Sequence, residues 1–270
     1  RYRMITSSLS TRALLAAAAL TASLATATGS VAGTLAALQD GKTIQWIDTD
    51  KKAVTGSVTL AGGAALIGFD VRPADGKLYG VTADGAIVTI DAMTGKWDKK
   101  SQLSEALPAG AMFVVDFNPV ADRMRLMAST GVNLRVNVDD GKAVVDGGLK
   151  YATADSMKDK KPRVTAGAYT NSFAGTKETA LYDLDMEAGS LVKQAPPNDG
   201  TLNTIGALGV KIDGPAALDI WSDGKGGNAA WLVAGGALHE VDLTTGKAKA
   251  IGPIAGLKGK TIDMAILPAK

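Results

Sequence analysis

Four aspartates recur in one local frame, and of all the residues in the chain they are the best suited to chemistry. Asp70-Val71-Arg72-Pro73 lies over Asp116-Phe117-Asn118-Pro119, and Asp219-Ile220-Trp221 and Asp263-Met264-Ala265 fit the same frame. A fifth segment, Ala168-Tyr169-Thr170-Asn171, matches with Ala where the others have Asp. Carboxylates held at one level offer hard oxygen ligands, and Ca²⁺ is the ion that such a set suits. The competing use is structural, each Asp accepting hydrogen bonds from the backbone of a neighbouring unit, because a buried carboxylate needs partners. Four such groups held close together repel, so either use implies uptake of a proton or a cation.

Other chemistry is thin. His239 is the only histidine and has no Cys or Ser partner at the spacing of a known motif, so it is expected to be structural or to lie on the surface. Nucleophile-elbow, zinc-protease, dinucleotide and phosphate-loop patterns are absent from the chain. Asp48-Thr49-Asp50 and Asp183-Leu184-Asp185 are isolated pairs that lack the spacing of a calcium loop. Arg123, Arg125 and Arg135 fall close enough to clamp an anion, although alternation puts Arg123 and Arg125 on one strand face that is expected to be solvated. Trp46, Trp97, Trp221 and Trp231 are scattered, as core packing would scatter them.

The elements that position the aspartates form a repeat. A short apolar strand ending in Asp or Asn, a Gly-containing turn and a second strand recur at 44–60, 87–103, 134–149, 181–194 and 238–254. Asp closes such a turn on its own backbone, and Gly takes positive φ without a steric penalty. The reference positions Asp48, Asp91, Asn137, Asp185 and Asp242 are roughly 43 to 57 residues apart, the spacing of propeller blades. Four of these hairpins follow an earlier strand pair, at 66–85, 113–131, 164–183 and 217–236; Asp70, Asp116 and Asp219 fall on the first strand of such a pair, and Asp263 on the strand 261–268. The first hairpin has no such pair ahead of it, whereas 261–268 is an orphan strand at the other end. Joining the two predicts an all-β, five-bladed β-propeller closed by its C-terminal strand, with six blades or a β-sandwich as the alternatives. The stretch 195–216 reads as irregular, either a long connection or part of an extra blade.

Several strings are long enough to carry a resemblance: GFDVRPADGKLYGV, VDFNPVADRMRL, GVNLRVNVDDG, AYTNSFAGTKETALYDLD and PPNDGTLNTIGALGV. Together they resemble a bacterial exported family known as domain of unknown function 4394, over about residues 35 to 268. The resemblance implies a propeller-like exported domain and carries no catalytic residue with it.

Composition agrees with the repeat. Apolar residues make up 46% of the 270, aromatics only 5%, and there are 32 glycines, which suits a turn-rich β protein. Of the 29 Lys and Arg, three (Arg1, Arg3 and Arg12) lie in residues 1–33, which hold no acid; the body is then close to neutral against 27 Asp and Glu. A neutral body lacks the basic footprint of a nucleic-acid binder. Residues 1–33 read as a signal peptide or a retained membrane-associated segment. They have a basic start, an apolar run from Ala13 to Ala25 and small-residue cleavage sites at Ala25-Thr26-Ala27 and Ser30-Val31-Ala32. Residues 34–270 form the propeller domain, and the expected location is periplasmic or extracellular, with or without a membrane association. With no Cys, there is neither a disulfide nor a thiolate metal site.

The function expected from these features is non-catalytic. An accessory or scaffold subunit would dock on a respiratory or photosynthetic membrane protein complex through loops of one propeller face, stabilising it, with the N-terminal segment as a further contact. The first alternative is a secreted propeller that binds a small ligand or a cation through Asp70, Asp116, Asp219 and Asp263. The second is a hydrolase of extracellular polysaccharide, since a glycosidase needs only two suitably spaced acids.

Overall fold

The computed structural model describes residues 34–268. Segment 1–33, with its expected leader, lies outside the described residues. The chain runs through β1 (Thr34–Gln39), β2 (Thr43–Asp48) and β3 (Ala53–Thr59), then β4 (Leu66–Val71), β5 (Leu78–Thr82), β6 (Ala86–Ile90) and β7 (Trp97–Gln102). Next come β8 (Phe113–Asn118), β9 (Arg123–Ala128), β10 (Asn133–Val136) and β11 (Ala143–Val145), and the two-residue β12 (Lys150–Tyr151). The fourth unit holds β13 (Val164–Tyr169), β14 (Leu181–Asp185), β15 (Ser190–Gln194) and β16 (Thr201–Ala207). The last elements are β17 (Ala216–Ser222), β18 (Asn228–Ala234), β19 (Ala237–Val241), β20 (Ala248–Pro253) and β21 (Thr261–Leu267).

These strands make five sheets, the blades of a propeller, antiparallel throughout except where β12 joins β16. Four blades run in chain order from inner to outer strand, starting at β4, β8, β13 and β17. The remaining blade has the order β21-β1-β2-β3, so the last strand supplies the inner edge of the first blade. Leu35 faces Ile266 and Leu38 faces Asp263 across that seam, and the Gln39 amide donates to the Thr261 hydroxyl at 2.9 Å. The inner strands pack side by side around the ring, β21 against β4 and β17 included, which closes it.

The core is divided among the blades. Five apolar clusters sit one at each blade–blade junction, such as Phe69 and Leu78 with Ala36 and Leu38, or Leu218 and Leu232 with Ala166 and Leu191. Inner and middle strands are therefore buried on both faces, whereas β3 and β7 expose much of their length. Trp46 and Trp97 pack on one of these clusters and Trp221 on another, to which Trp231 belongs, as their scatter suggested.

The outer turns also tie blades together. Asp91 Oδ1 accepts the N–H groups of Met93 and Thr94 at 2.9 and 3.1 Å, and Asp242 does the same for Thr244 and Thr245. Gly141, at φ +76°, closes the corresponding turn of the third blade. A Cβ there would lie 1.9 Å from the Gln102 carbonyl oxygen of the preceding blade, so only glycine permits the contact.

The fourth blade departs from the expected frame. The hairpin 181–194 is its second and third strands, β14 and β15, and not its outer pair. The outer strand is β16, in the stretch read as irregular, and it is flanked by β12 in parallel. The reason is local. Pro196-Pro197-Asn198-Asp199-Gly200 turns the chain here in place of an Asp-x-x-x-Gly turn such as Asp91–Gly95, so the repeat motif matched one strand too early.

Candidate functional site

Inner strands run the same way around the ring, so the propeller has a leading face, where they begin, and a trailing face, where they end. Asp70 and Asp116 stand in the trailing halves of β4 and β8 and Asp219 at the middle of β17, and all are buried. One oxygen from each lies within 4.8 Å of the others.

Each carboxylate spans a blade junction. Asp70 Oδ2 accepts the Phe117 N–H at 2.8 Å, Asp116 Oδ1 that of Tyr169 at 3.1 Å, and Asp219 Oδ2 that of Ile266 at 2.7 Å. Asp263 Oδ2 accepts from Phe69 at 2.9 Å. Three of these donors immediately follow Asp116, Ala168 and Ala265, whereas Phe69 precedes Asp70. One level of the channel thus holds Asp70, Asp116, Ala168, Asp219 and Ala265. Asp263 sits two residues nearer the leading face, beside Gly68, whose absent Cβ leaves room for its carboxylate. The sequence frame put four aspartates at one level; the structure puts three there. A strand repeats its facing every two residues, so a two-residue slip keeps Asp263 on the same face and is invisible to pattern alone.

Burial dominates the electrostatics. It raises the Asp70 carboxyl well above its usual value, and the Asp219 charge adds to the effect. Asp116 is raised well above its usual value by burial and then by Asp70 and Asp219. Asp263 is raised likewise, by burial first, with Asp219 adding to it. Burial pushes Asp219 up to about 6, with the N–H groups of Ile266 and Ile220 acting against it. The cluster has an excess of negative charge that a proton or a cation would relieve.

Above the cluster the trailing mouth opens into a cavity of about 300 Å³, lined by Asp70, Asp219, Pro73, Phe173, Trp221 and Leu267 among others. At the leading mouth a smaller, mainly apolar cavity of about 140 Å³ is lined by Leu66, Phe113, Thr165, Ala216 and Ile262. His239 is buried in β19, away from both mouths.

Two polar features between the third and fourth blades were not anticipated. Arg125 is buried, not solvated: its guanidinium donates to Asp146 at 2.7 Å, Asn133 at 2.9 Å, Asn198 at 2.8 Å and the Tyr169 hydroxyl at 3.2 Å. Arg135 grips the same Asp146 carboxylate with two further bonds. The anion that the arginines clamp is therefore internal, and Arg123 alone of the three is exposed. Asp183, fully buried on β14, has no hydrogen-bond donor on either oxygen. Burial raises its carboxyl well above the usual value, Arg125 pulling the other way and Asp185 adding to the rise. It fits only because Gly167 faces it, where a Cβ would lie 2.2 Å from Asp183 Oδ1. The sequence signal was the charged pair of β14 set opposite a glycine strand position.

With this geometry in view, the comparisons with known proteins assign a family. The family model described as Domain of unknown function (DUF4394) matches residues 43–265. The chain belongs to that family. None of the curated proteins matches it. Among solved structures, a structural-genomics protein of unknown function from Bacteroides thetaiotaomicron is similar over 90% of this chain and 68% of its own, at 14% identity and a TM-score of 0.52. A protein of unknown function from Bacteroides caccae covers 81% of this chain and 72% of its own, at 15% identity and a TM-score of 0.43. An auxiliary nutrient binding protein from Bacteroides ovatus matches at 18% identity and a TM-score of 0.44, over 70% of this chain and half of its own. At these identities the likeness concerns the fold alone, which hosts many functions.

Proposed function

We propose that this family member is a non-catalytic, extracytoplasmic binding propeller that takes a divalent cation, Ca²⁺ by its ligand chemistry, at Asp70, Asp116 and Asp219. The observation that carries the reading is the convergence of three buried carboxylates, one oxygen of each within 4.8 Å of the others, beneath an open mouth. An oxygen that accepts one N–H keeps a second lone pair, so holding the blades and ligating an ion are compatible. Waters entering the mouth would complete the six to eight oxygens that Ca²⁺ prefers. The non-catalytic part rests on the same geometry. Paired glycosidase acids stand about 5–9.5 Å apart on either side of a bound sugar, whereas these three are closer together and engaged with backbone N–H groups.

Calorimetric titration with Ca²⁺ at pH 7.5 tests the reading. Saturable binding by the wild type, abolished in Asp116→Asn and retained in Asp263→Asn, is expected. A heat-silent wild type, or equal binding by all three proteins, would remove it.

A second reading is docking of the trailing face on a membrane protein complex. It is favoured by Met93 and Val120, which are 52% and 48% exposed on turns of that face. Co-purification with a membrane complex in mild detergent is its test, and recovery solely as a free monomer counts against it.

A further inference from the structure

On the leading face, opposite the carboxylate cluster, lies a cavity of about 510 Å³ whose wall includes Ser129, Tyr151, Lys160, Lys161, Arg163 and Glu187. Its volume is within the range of small-molecule sites. The charge around it is unusual for a near-neutral body. Lys158-Asp159-Lys160-Lys161-Pro162-Arg163 packs four cations and one acid into six residues. Among the described residues, none of Lys158, Lys160, Lys161 and Arg163 has a carboxylate within ion-pair distance, while Arg72, Arg125 and Arg135 all do.

The segment is held, not loose. Asp155 Oδ2 accepts the Thr204 N–H at 2.6 Å and Asp155 Oδ1 the Met157 N–H at 2.8 Å, pinning the loop to β16. Further on, the Lys160 N–H donates to the Met157 carbonyl at 2.8 Å and the Met186 N–H to the Arg163 carbonyl at 3.0 Å. The acid at the cavity base is already served. Asp185 Oδ2 accepts the Tyr151 hydroxyl at 2.5 Å, and Asp185 Oδ1 accepts the N–H groups of Glu187 and Ala188. Glu187 is then the only exposed acid set against three cations lining the space.

From this geometry we infer that the leading-face cavity binds a small, multiply charged anion through Lys160, Lys161 and Arg163. Cations carried on a backbone-pinned segment around a concave wall are an arrangement that recognises phosphate or carboxylate groups. Glu187 supplies an acceptor for a hydroxyl of the same ligand, so a hydroxylated polycarboxylate or a phosphorylated compound is the fitting class. This site does not depend on the cation site at the other face.

Titration with citrate and with inorganic pyrophosphate, in Ca²⁺-free buffer, separates the carboxylate and phosphate arms. Saturable binding of at least one is expected, weakened about tenfold or more in K160Q/K161Q by loss of charge-assisted hydrogen bonds. Affinity for pyrophosphate, which has no hydroxyl to donate to Glu187, should rise in Glu187→Gln, and the exposed pair variant K247Q/K249Q should bind as the wild type does. Asp116→Asn, which probes the cation site, should also leave anion binding unchanged. Silence of the wild type toward both anions overturns the inference, and so does unaltered binding by K160Q/K161Q.

Discussion

Asp183 is the residue whose neutralisation should change the protein most visibly. Its carboxyl is fully buried, lacks any hydrogen-bond donor and is raised well above its ordinary value, chiefly by burial. For an acid raised on folding, the folded state holds the proton more tightly than the unfolded chain does. Stability is therefore fully present below the unfolded value, near pH 4, and declines as pH rises toward the folded value. The decline is about 1.4 kcal/mol for each pH unit inside that window. In Asp183→Asn this contribution vanishes, while those of Asp70, Asp116, Asp219 and Asp263 are common to both proteins and cancel in the difference. In a domain of this size each kcal/mol moves the Tm by about 2–4 °C. Melting curves from pH 4 to 7 should then show Asp183→Asn gaining on the wild type by about 3–6 °C per unit over the first units. At pH 4 the variant should be the less stable of the two or equal to it, because its amide is as poorly partnered as the protonated acid. Parallel Tm profiles for the two proteins would mean that Asp183 is not protonated on folding and that its charge finds a stabilising donor.

Three further outcomes follow from neighbouring features. Gly167→Ala should cost about 1–3 kcal/mol from overpacking, because its Cβ would meet Asp183 Oδ1 at 2.2 Å; the cost should shrink in an Asp183→Ala background, as paired denaturant melts would show. Arg125→Met should destabilise by about 3 kcal/mol, the lower end for breaking a buried ion pair, since Arg135 still covers Asp146. The same variant should become sensitive to protease near Asn198, which loses its anchor. Ca²⁺ affinity should fall as the pH drops through about 6, where Asp219 takes up its proton, and titrations at pH 5 and 7.5 with equal affinities would exclude Asp219 as a ligand.

Much of the ring was legible because its signals are local. Asp-x-x-x-Gly turns at Asp91 and Asp242 mark the outer hairpins, since the glycine lies only four residues beyond the Asp whose oxygen closes the turn. Closure by 261–268 followed from counting strands, and the β1–β21 register bears it out. The fourth blade was misread where Pro196 and Pro197 replace that turn. In the site, the alternation that identified Asp70, Asp116 and Asp219 could not register the two-residue slip of Asp263. That slip depends on how β21 lies against β4 and β17, a contact between distant parts of the chain. Arg125 was misjudged for a related reason: alternation assigns it a face, but not the fourth blade that covers the face. The Lys158–Arg163 cavity needed β12, β14 and the pinned loop together, and no local spacing brings those to one place.

The most direct test of the cation site is a crystal structure of the protein grown with Ca²⁺, with Mn²⁺ as an anomalous stand-in. One anomalous peak is expected on the channel axis, with a Ca²⁺ about 2.3–2.6 Å from an oxygen of each of Asp70, Asp116 and Asp219, and Asp263 outside the coordination sphere. Density empty at that level, with the three carboxylates still bonded only to backbone N–H groups, those of Phe117, Tyr169 and Ile266 across the junctions and of Val71 and Ile220 within their own strands, would contradict the cation site and leave the cluster as a clasp between blades.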